Sequence, residues 1–204
     1  GTTPSGTEAP GGAAATAAAT AAATEKPQPG GRVIQSSISD IATMQPVLAN
    51  DTASGTITSL IYAGLLQSDP KNGEPKPNLA KFSQSADGLV YSFEIDAKAN
   101  WSDGKPIIGQ DYLTGLTAVA KSKKTVRKSS LKDIKGFNDF KDGKADAIAG
   151  VKLDSADPKK FSVTLAQISC PAINQISGYI LPTQVFGKYL TATSKPEDFD
   201  TAAE

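Results

Sequence analysis

The sequence contains no histidine and only one cysteine, one methionine and one tryptophan among 204 residues. Without histidine, the chain lacks the commonest general base and the commonest metal ligand of proteins. The single Cys170 excludes an internal disulfide and a cysteine-based zinc site, and we expect it to be a small buried hydrophobic residue. Basic and acidic residues balance at 21 each, so no electrostatic attraction to nucleic acid is expected.

Long apolar runs and catalytic groupings are also missing. No segment approaches the roughly 20 apolar residues of a membrane span. Asp96, Asp103 and Asp111 are isolated carboxylates near turns, and nothing in their spacing sets two acids across a cleft. No glycine-rich phosphate loop and no internal repeat occurs. The sequence therefore predicts no enzymatic activity, no cofactor and no metal site.

Residues 1–31 consist almost entirely of Ala, Thr, Gly and Pro, and residues 13–24 repeat Ala-Ala-Ala-Thr. Such a segment has no apolar face to bury, and Pro and Gly bracket the alanine run. We therefore predict a disordered tether over 1–31 and a folded region over 32–204. A plain linker is the alternative interpretation of the same composition.

The most informative stretch is Trp-Ser-Asp-Gly-Lys-Pro at 101–106, a turn signal because Gly supplies a positive φ and Pro restricts the preceding residue. Before it, apolar and polar residues alternate over 89–95, which predicts a strand with one face on a core. After it, an apolar stripe beginning at Tyr112 predicts a helix over 109–120. We expect Trp101 to cover the junction of the two elements, and Asp111 to be favoured by the helix dipole.

Weaker patterns complete an expected mixed α/β fold with an antiparallel hairpin subdomain. They comprise a strand over 32–38; a helix from Thr52 or Ser54 to Gly64 with Ile57, Leu60, Ile61 and Leu65 as its apolar stripe; hairpins of 82–86 with 89–95 and of 148–153 with 161–165; a helix over 130–142; short helices over 170–176 and 183–189; and a polar tail from 191. The lysine-rich segment 121–135 is interpreted as a solvated face or, alternatively, as a basic patch for an anion.

These motifs also carry a family resemblance. The run from Trp101 to Pro106, followed by Asp111, resembles the signature of the extracytoplasmic solute-binding proteins of peptide and nickel ABC importers. Ile108 departs from the family's usual threonine, and Ile cannot cap a helix. Pro46 matches the family's Leu-Asp-Pro turn with Gln45 in place of Asp, and Ala63-Gly64-Leu65 is similar to the family's Glu-Gly-Leu.

The resemblance implies a periplasmic-binding-protein-like type II fold, with residues 32–204 forming the first part of lobe one of a longer, two-lobed protein. It implies a monomeric extracytoplasmic component that captures a peptide or another small solute and delivers it to an ABC permease. It also implies a location at the cell surface or in the periplasm, with an N-terminal lipid outside this sequence. The alternative is a surface-anchored sensory or adhesive lipoprotein that uses the same fold.

The resemblance also indicates where a ligand would bind. Family members pair the peptide backbone with an extended segment after the Leu-Asp-Pro turn. The sixteen residues between Pro46 and Ala63 carry that segment onto Asn50, Asp51 and Thr52. The alternative is a helix N-cap at Thr52 with the two preceding residues in an ordinary turn. Some members also place a tyrosine over the ligand from the stretch after the central helix, where this chain has no aromatic residue, so peptide, nickel and sugar remain open.

Hydrogen exchange tests the tether. We expect no protection of any backbone amide over residues 1–31, because a segment without an apolar face cannot hold a structure that shields its amides. Slow exchange across residues 13–24 would contradict this prediction and indicate a docked helix.

Overall fold

The alternating strand at 90–95 lies at the centre of a four-stranded antiparallel sheet in a computed structural model, which describes residues 30–32, 34–178 and 180–202. The strands are β3 (Ala80–Gln84), β4 (Val90–Ile95), β5 (Val151–Leu153) and β6 (Lys160–Thr164), in the spatial order β3-β4-β6-β5. Each neighbouring pair is antiparallel. Both predicted hairpins are therefore confirmed, and the second strand of each lies in the middle of the sheet.

The core forms where the sheet meets the central helix α2 (Gly109–Lys121). Phe93 and Phe161 are register partners on β4 and β6, with ring centroids 5.2 Å apart. The fully buried Tyr112 of α2 stacks on Phe161 at 4.7 Å. Each large apolar side chain buried in this way stabilises the fold by about 1.5–3 kcal/mol. The apolar face of the strand predicted from the alternation over 89–95 thus packs against the apolar face of the helix predicted from the stripe beginning at Tyr112.

Smaller elements surround this core. They are α1 (Thr52–Ile61), the strand pair β1 (Leu66–Ser68) and β2 (Pro75–Pro77), α3 (Phe137–Lys141), α4 (Ala172–Ile176), α5 (Thr183–Phe186), α6 (Pro196–Ala202) and two 3₁₀ helices, Arg127–Leu131 and Gly187–Tyr189. The described residues from Ser37 onwards form one compact unit. Residues 1–29 lie outside the described residues, so the tether over 1–31 stays a prediction. Among the described residues of segment 32–38 there is no strand, and Ile34 and Ile38 are exposed, so that prediction is wrong.

The predicted helix over 130–142 is also wrong. Gly136 has a φ of +75°, which no α-helix contains, and a Cβ there would lie 2.9 Å from the Ala149 backbone nitrogen. The chain instead forms a 3₁₀ helix, an extended contact between Ile134 and Leu165, and the short α3. Three apolar residues of the predicted helix are nevertheless buried: Leu131, Ile134 and Phe137. Their spacing places them on the inner side of the chain whether the backbone is one long helix or two short ones.

Helix α1 begins and faces differently from the prediction. Its N-cap is Asp51, whose Oδ1 accepts a hydrogen bond from Ser54 N at 2.8 Å. The helix ends at Ile61 rather than Gly64, and its buried residues are Ala53, Ser54 and Thr58. Ser54 Oγ accepts hydrogen bonds from the backbone N–H groups of residues 42 and 43. Because this contact turns Ser54 inward, Leu60 and Ile61 of the predicted apolar stripe face outward.

Two further corrections concern the end of the chain. Cys170 is exposed rather than buried. The tail predicted as polar contains α6, in which Phe199 is fully buried and its ring lies edge-on to Phe186 at 5.8 Å. Asp200, also buried, accepts a hydrogen bond from Lys123 N at 2.8 Å. A single aromatic residue in a polar segment gives no periodic signal, so this helix could not be predicted from the sequence pattern.

Asp111 has a larger structural role than the predicted stabilisation by the helix dipole. Its carboxylate is buried and accepts four hydrogen bonds. Oδ2 accepts from Trp101 Nε1 at 2.9 Å and from Ile108 N at 3.1 Å. Oδ1 accepts from Thr183 N at 2.9 Å and from Thr183 Oγ1 at 2.6 Å. The half-buried Trp101 ring is thereby fixed at the strand–helix junction, and the backbone N–H of Ile108 at the start of α2 is satisfied.

The substitution Asp111→Asn tests this network. All four partners donate to the carboxylate, so an amide NH₂ would face a donor, and we expect the free energy of unfolding to fall by about 2–3 kcal/mol. The emission of Trp101, the only tryptophan, should shift to the red as its indole N–H loses its partner. Denaturant unfolding followed by fluorescence measures both effects. The control is Asp146→Asn, since Asp146 is exposed; equal effects of the two substitutions would contradict the assignment.

The Asp51 cap makes a pH-dependent contribution. The hydrogen bond from Ser54 N, reinforced by the Ser54 side chain, lowers the pKa of Asp51. Because the folded-state pKa lies below the unfolded value of about 3.9, this contribution is present above that value and is lost as the pH falls through the folded pKa. The urea midpoint of the native chain should therefore exceed that of Asp51→Asn at pH 6, and the gap should close towards pH 2.

Asp51→Ala separates the cap from the charge. Alanine removes the acceptor altogether, whereas asparagine retains one, so the alanine variant should be the less stable of the two at neutral pH. A gap between the native chain and Asp51→Asn that is constant across the pH range would show that the charge of Asp51 contributes nothing.

Candidate ligand-binding segment

The segment before α1 is a loop whose backbone is fixed by side chains on its own side. The buried Gln45 turns the chain: its Oε1 accepts from Val47 N at 2.9 Å, and its backbone oxygen accepts from Ala49 N at 2.9 Å. Ser54 Oγ holds the backbone of residues 42 and 43 from the first turn of α1. Gln45 thus provides a side-chain acceptor for this turn in the place where the family resemblance expects aspartate.

A second set of contacts reaches this loop from the stretch after α2. Thr125 Oγ1 donates to the backbone oxygen of Val47 at 2.7 Å, and Arg127 Nη2 donates to the backbone oxygen of Ala49. Both pairs are 78 residues apart in sequence. Thr125 is itself positioned by Ser122, whose Oγ accepts from Thr125 N at 3.1 Å. The loop is therefore held on one side by α1 and on the other by residues 122–127.

Asn50, Asp51 and Thr52, the predicted ligand-binding residues, follow directly on this fixed loop. Asn50 is exposed, and it takes part in no hydrogen bond within the part of the chain that the structure describes. Asp51 has an extended backbone, with φ −110° and ψ 159°. Thr52 is exposed and begins α1. The helix cap considered as the alternative exists, but it belongs to Asp51 rather than Thr52.

Three buried polar atoms of this loop and of the residues that contact it lack a hydrogen-bond partner among the described residues. They are Gln45 Nε2, Asp51 Oδ2 and Arg127 Nε. Buried polar groups in folded proteins are nearly always paired, and an unpaired one calls for a specific explanation such as a ligand or an ordered water. The contacts of Thr125 and Arg127 with the loop could not be predicted, because they depend on the tertiary fold alone, although Arg127 lies in the segment 121–135 that was alternatively interpreted as a basic patch for an anion.

Two hollows lie elsewhere in the described region. One, of about 560 Å³, lies on the sheet, where Ser83, Ser92 and Ser162 face each other in register across β3, β4 and β6. The other, of about 230 Å³, lies between α2 and α3. Neither is lined by residues 50–52.

Within residues 30–32, 34–178 and 180–202, no group of acidic or cysteine side chains could hold a metal ion, and no helix is long and apolar enough to cross a bilayer.

The chain has clear relatives, although no family model matches it. It is 31% identical over 163 residues to an ABC transporter-binding protein of Deinococcus radiodurans, covering 78% of this chain and 25% of that protein. It is 28% identical over 135 residues to the oligopeptide-binding protein AliB of Streptococcus pneumoniae, covering 63% of this chain and 21% of that protein. The chain thus spans about a quarter of the length of these relatives.

A solved structure extends the likeness to the fold. The periplasmic oligopeptide-binding protein OppAIV of Borrelia burgdorferi superimposes with a TM-score of 0.63 at 28% identity, covering 78% of this chain and 33% of that one. This confirms the predicted fold class, a mixed α/β binding-protein fold with antiparallel hairpins. The relatives carry the names of binding proteins, which confirms the expectation that the chain is not an enzyme. By sequence and by fold, the chain resembles part of the length of proteins named as oligopeptide-binding proteins and as an ABC transporter-binding protein.

Proposed function

We propose that this chain is part of the extracytoplasmic solute-binding component of an ABC importer, and that Asn50, Asp51 and Thr52 contact its ligand. The ligand is a peptide or a related small solute, which the binding protein delivers to a membrane permease. The names of the relatives, which include oligopeptide-binding proteins, support a peptide over nickel or sugar. They also favour transport over a sensory or adhesive role.

One observation carries the proposal: Asn50 is exposed and takes part in no hydrogen bond among the described residues, although the loop that presents it is fixed from two sides. An extended main chain with free N–H and C=O groups can pair with another extended chain. Every peptide offers the same row of main-chain donors and acceptors, so this mode of pairing accepts many side chains. A fixed loop also loses little conformational freedom on binding, which favours affinity.

Several finer features follow from the proposal. Residues 1–31 would act as the tether between the folded region and a lipid at the membrane surface, with the binding protein acting outside the cytoplasm as a monomer. The ligand would lie in a cleft between this part of the protein and a second lobe, because small-solute sites enclose most of the ligand surface. Nucleic acid is not expected as a partner, since the charges of the chain balance.

Calorimetry on two proteins tests the proposal: the 204-residue chain and the full-length product of its gene, each titrated with peptides, sugars and Ni²⁺. We expect micromolar or tighter peptide binding by the full-length product. The 204-residue chain offers half a cleft but loses similar ligand freedom, so its affinity should be millimolar or weaker, about −4 kcal/mol. A second series uses peptides in which one main-chain nitrogen at a time is methylated, and at least one position should lose about tenfold in affinity.

Asn50→Ala is the matched control for the main-chain mechanism. It removes the side chain but keeps the backbone N–H and C=O, so peptide affinity should stay within about twofold. Equal affinity for all methylated peptides would exclude main-chain pairing. Micromolar binding by the 204-residue chain would show that no second lobe is needed, and tight binding of Ni²⁺ or a sugar without peptide binding would overturn the ligand class.

A further inference from the structure

Arg127, the first residue of the 3₁₀ helix after α2, contacts the candidate segment with a charged group. Its Nη2 donates to the backbone oxygen of Ala49, the residue before Asn50. Its Nε is buried and has no hydrogen-bond partner among the described residues, and the residue as a whole is half-buried. Within the described residues, Arg127 forms no ion pair with any carboxylate. The guanidinium is thus anchored beside the site by one hydrogen bond, with its charge uncompensated.

An uncompensated arginine in a half-buried position calls for a partner. The guanidinium is charged at every physiological pH and presents five N–H donors in a rigid fork. Only one of those donors is used by the backbone of Ala49. Removing a charge from water without pairing it is unfavourable, and a carboxylate satisfies both the charge and the fork geometry.

We infer that Arg127 is a specificity-determining residue of this site and that its guanidinium binds a carboxylate of the ligand. The inference rests on the proposed function, which places the ligand on Asn50, Asp51 and Thr52. The carboxylate is either an acidic side chain or the free C-terminus of a short peptide, since both present the same planar group.

The neighbouring carboxylate does not take this role. Asp51 is engaged through Oδ1 as the cap of α1, and no hydrogen bond or ion pair joins it to Arg127. The hydrogen bonds from Ser54 that lower the pKa of Asp51 keep it an anion. An acid and a base therefore flank Asn50 without neutralising each other. A ligand that places its carboxylate on Arg127 meets a cation whose charge is still free.

The test uses the full-length gene product and matched peptides of about four residues. One set places Glu or Gln at each position in turn, and a second set has a free or an amidated C-terminus. The native protein should prefer the carboxylate over the amide by about tenfold at one position, as a charge-assisted bidentate contact implies. A preference in the first set identifies an acidic side chain as the bound carboxylate, and a preference in the second set identifies the C-terminus. The preference should weaken as salt is raised.

Three variants assign the preference to Arg127. Arg127→Gln should abolish the preference while leaving affinity for the amide peptide within about threefold. Arg127→Lys should keep part of it, because the charge remains but the fork is lost. Lys132→Gln, the control, removes one exposed positive charge from the same stretch and should change nothing. Thermal unfolding of each variant reports whether the loop is still held.

The outcomes separate this inference from the proposed function. A native protein that binds no peptide overturns both. A native protein that binds acid and amide peptides equally overturns the role of Arg127 and leaves the proposed function intact. If Arg127→Gln loses affinity for the acid and the amide peptide equally and unfolds at a lower temperature, Arg127 only supports the backbone at Ala49. That result also overturns the inference. If Arg127→Gln does not fold, the Arg127→Lys variant decides by whether a reduced preference survives.

Discussion

The buried carboxylate of Asp111 is the constraint on which the arrangement of this chain depends, because it accepts hydrogen bonds from three separate parts of the sequence. Trp101 Nε1 comes from the turn after the central strand, Ile108 N from the start of α2, and Thr183 from the start of α5. A buried anion needs every one of its hydrogen bonds, since an unpaired charge in the interior is unfavourable by several kcal/mol. The positions of strand, helix and C-terminal elements are therefore coupled through two oxygen atoms.

That coupling extends from the core to the candidate site. Asp111 lies in the first turn of helix α2, which ends at Lys121. Residues 122–127 follow directly on that end. Thr125 and Arg127 then fix the loop that precedes Asn50. The exposed residue Asn50 is thus supported, through this loop, by the same helix that the Asp111 network anchors. A change in the core at α2 should therefore alter the position of the loop through residues 122–127.

The sequence was informative where a local pattern decides the structure. The strand alternation over 89–95 correctly placed the central strand of the first hairpin, and the stripe from Tyr112 correctly placed α2, since both signals depend only on neighbouring residues. Helix α1 was predicted with the wrong face because Ser54 pairs with a loop eleven and twelve residues earlier. The site was predicted only as residues 50–52. The contacts of Thr125 and Arg127 with the loop before Asn50 were not predicted, because contacts 78 residues apart leave no mark in a periodic pattern.

The hydrogen bonds between Asp111 and Thr183 also have a consequence for how the chain folds. The two residues are 72 positions apart, so closing the loop between them costs entropy before the contact is gained, and contacts of such high sequence separation slow folding. The four strands are complete by Thr164, well before Thr183 has been synthesised. During synthesis, Oδ1 of Asp111 therefore has neither of its two native donors until Thr183 has been added. Native packing of the Trp101 junction should become stable only when α5 has left the ribosome.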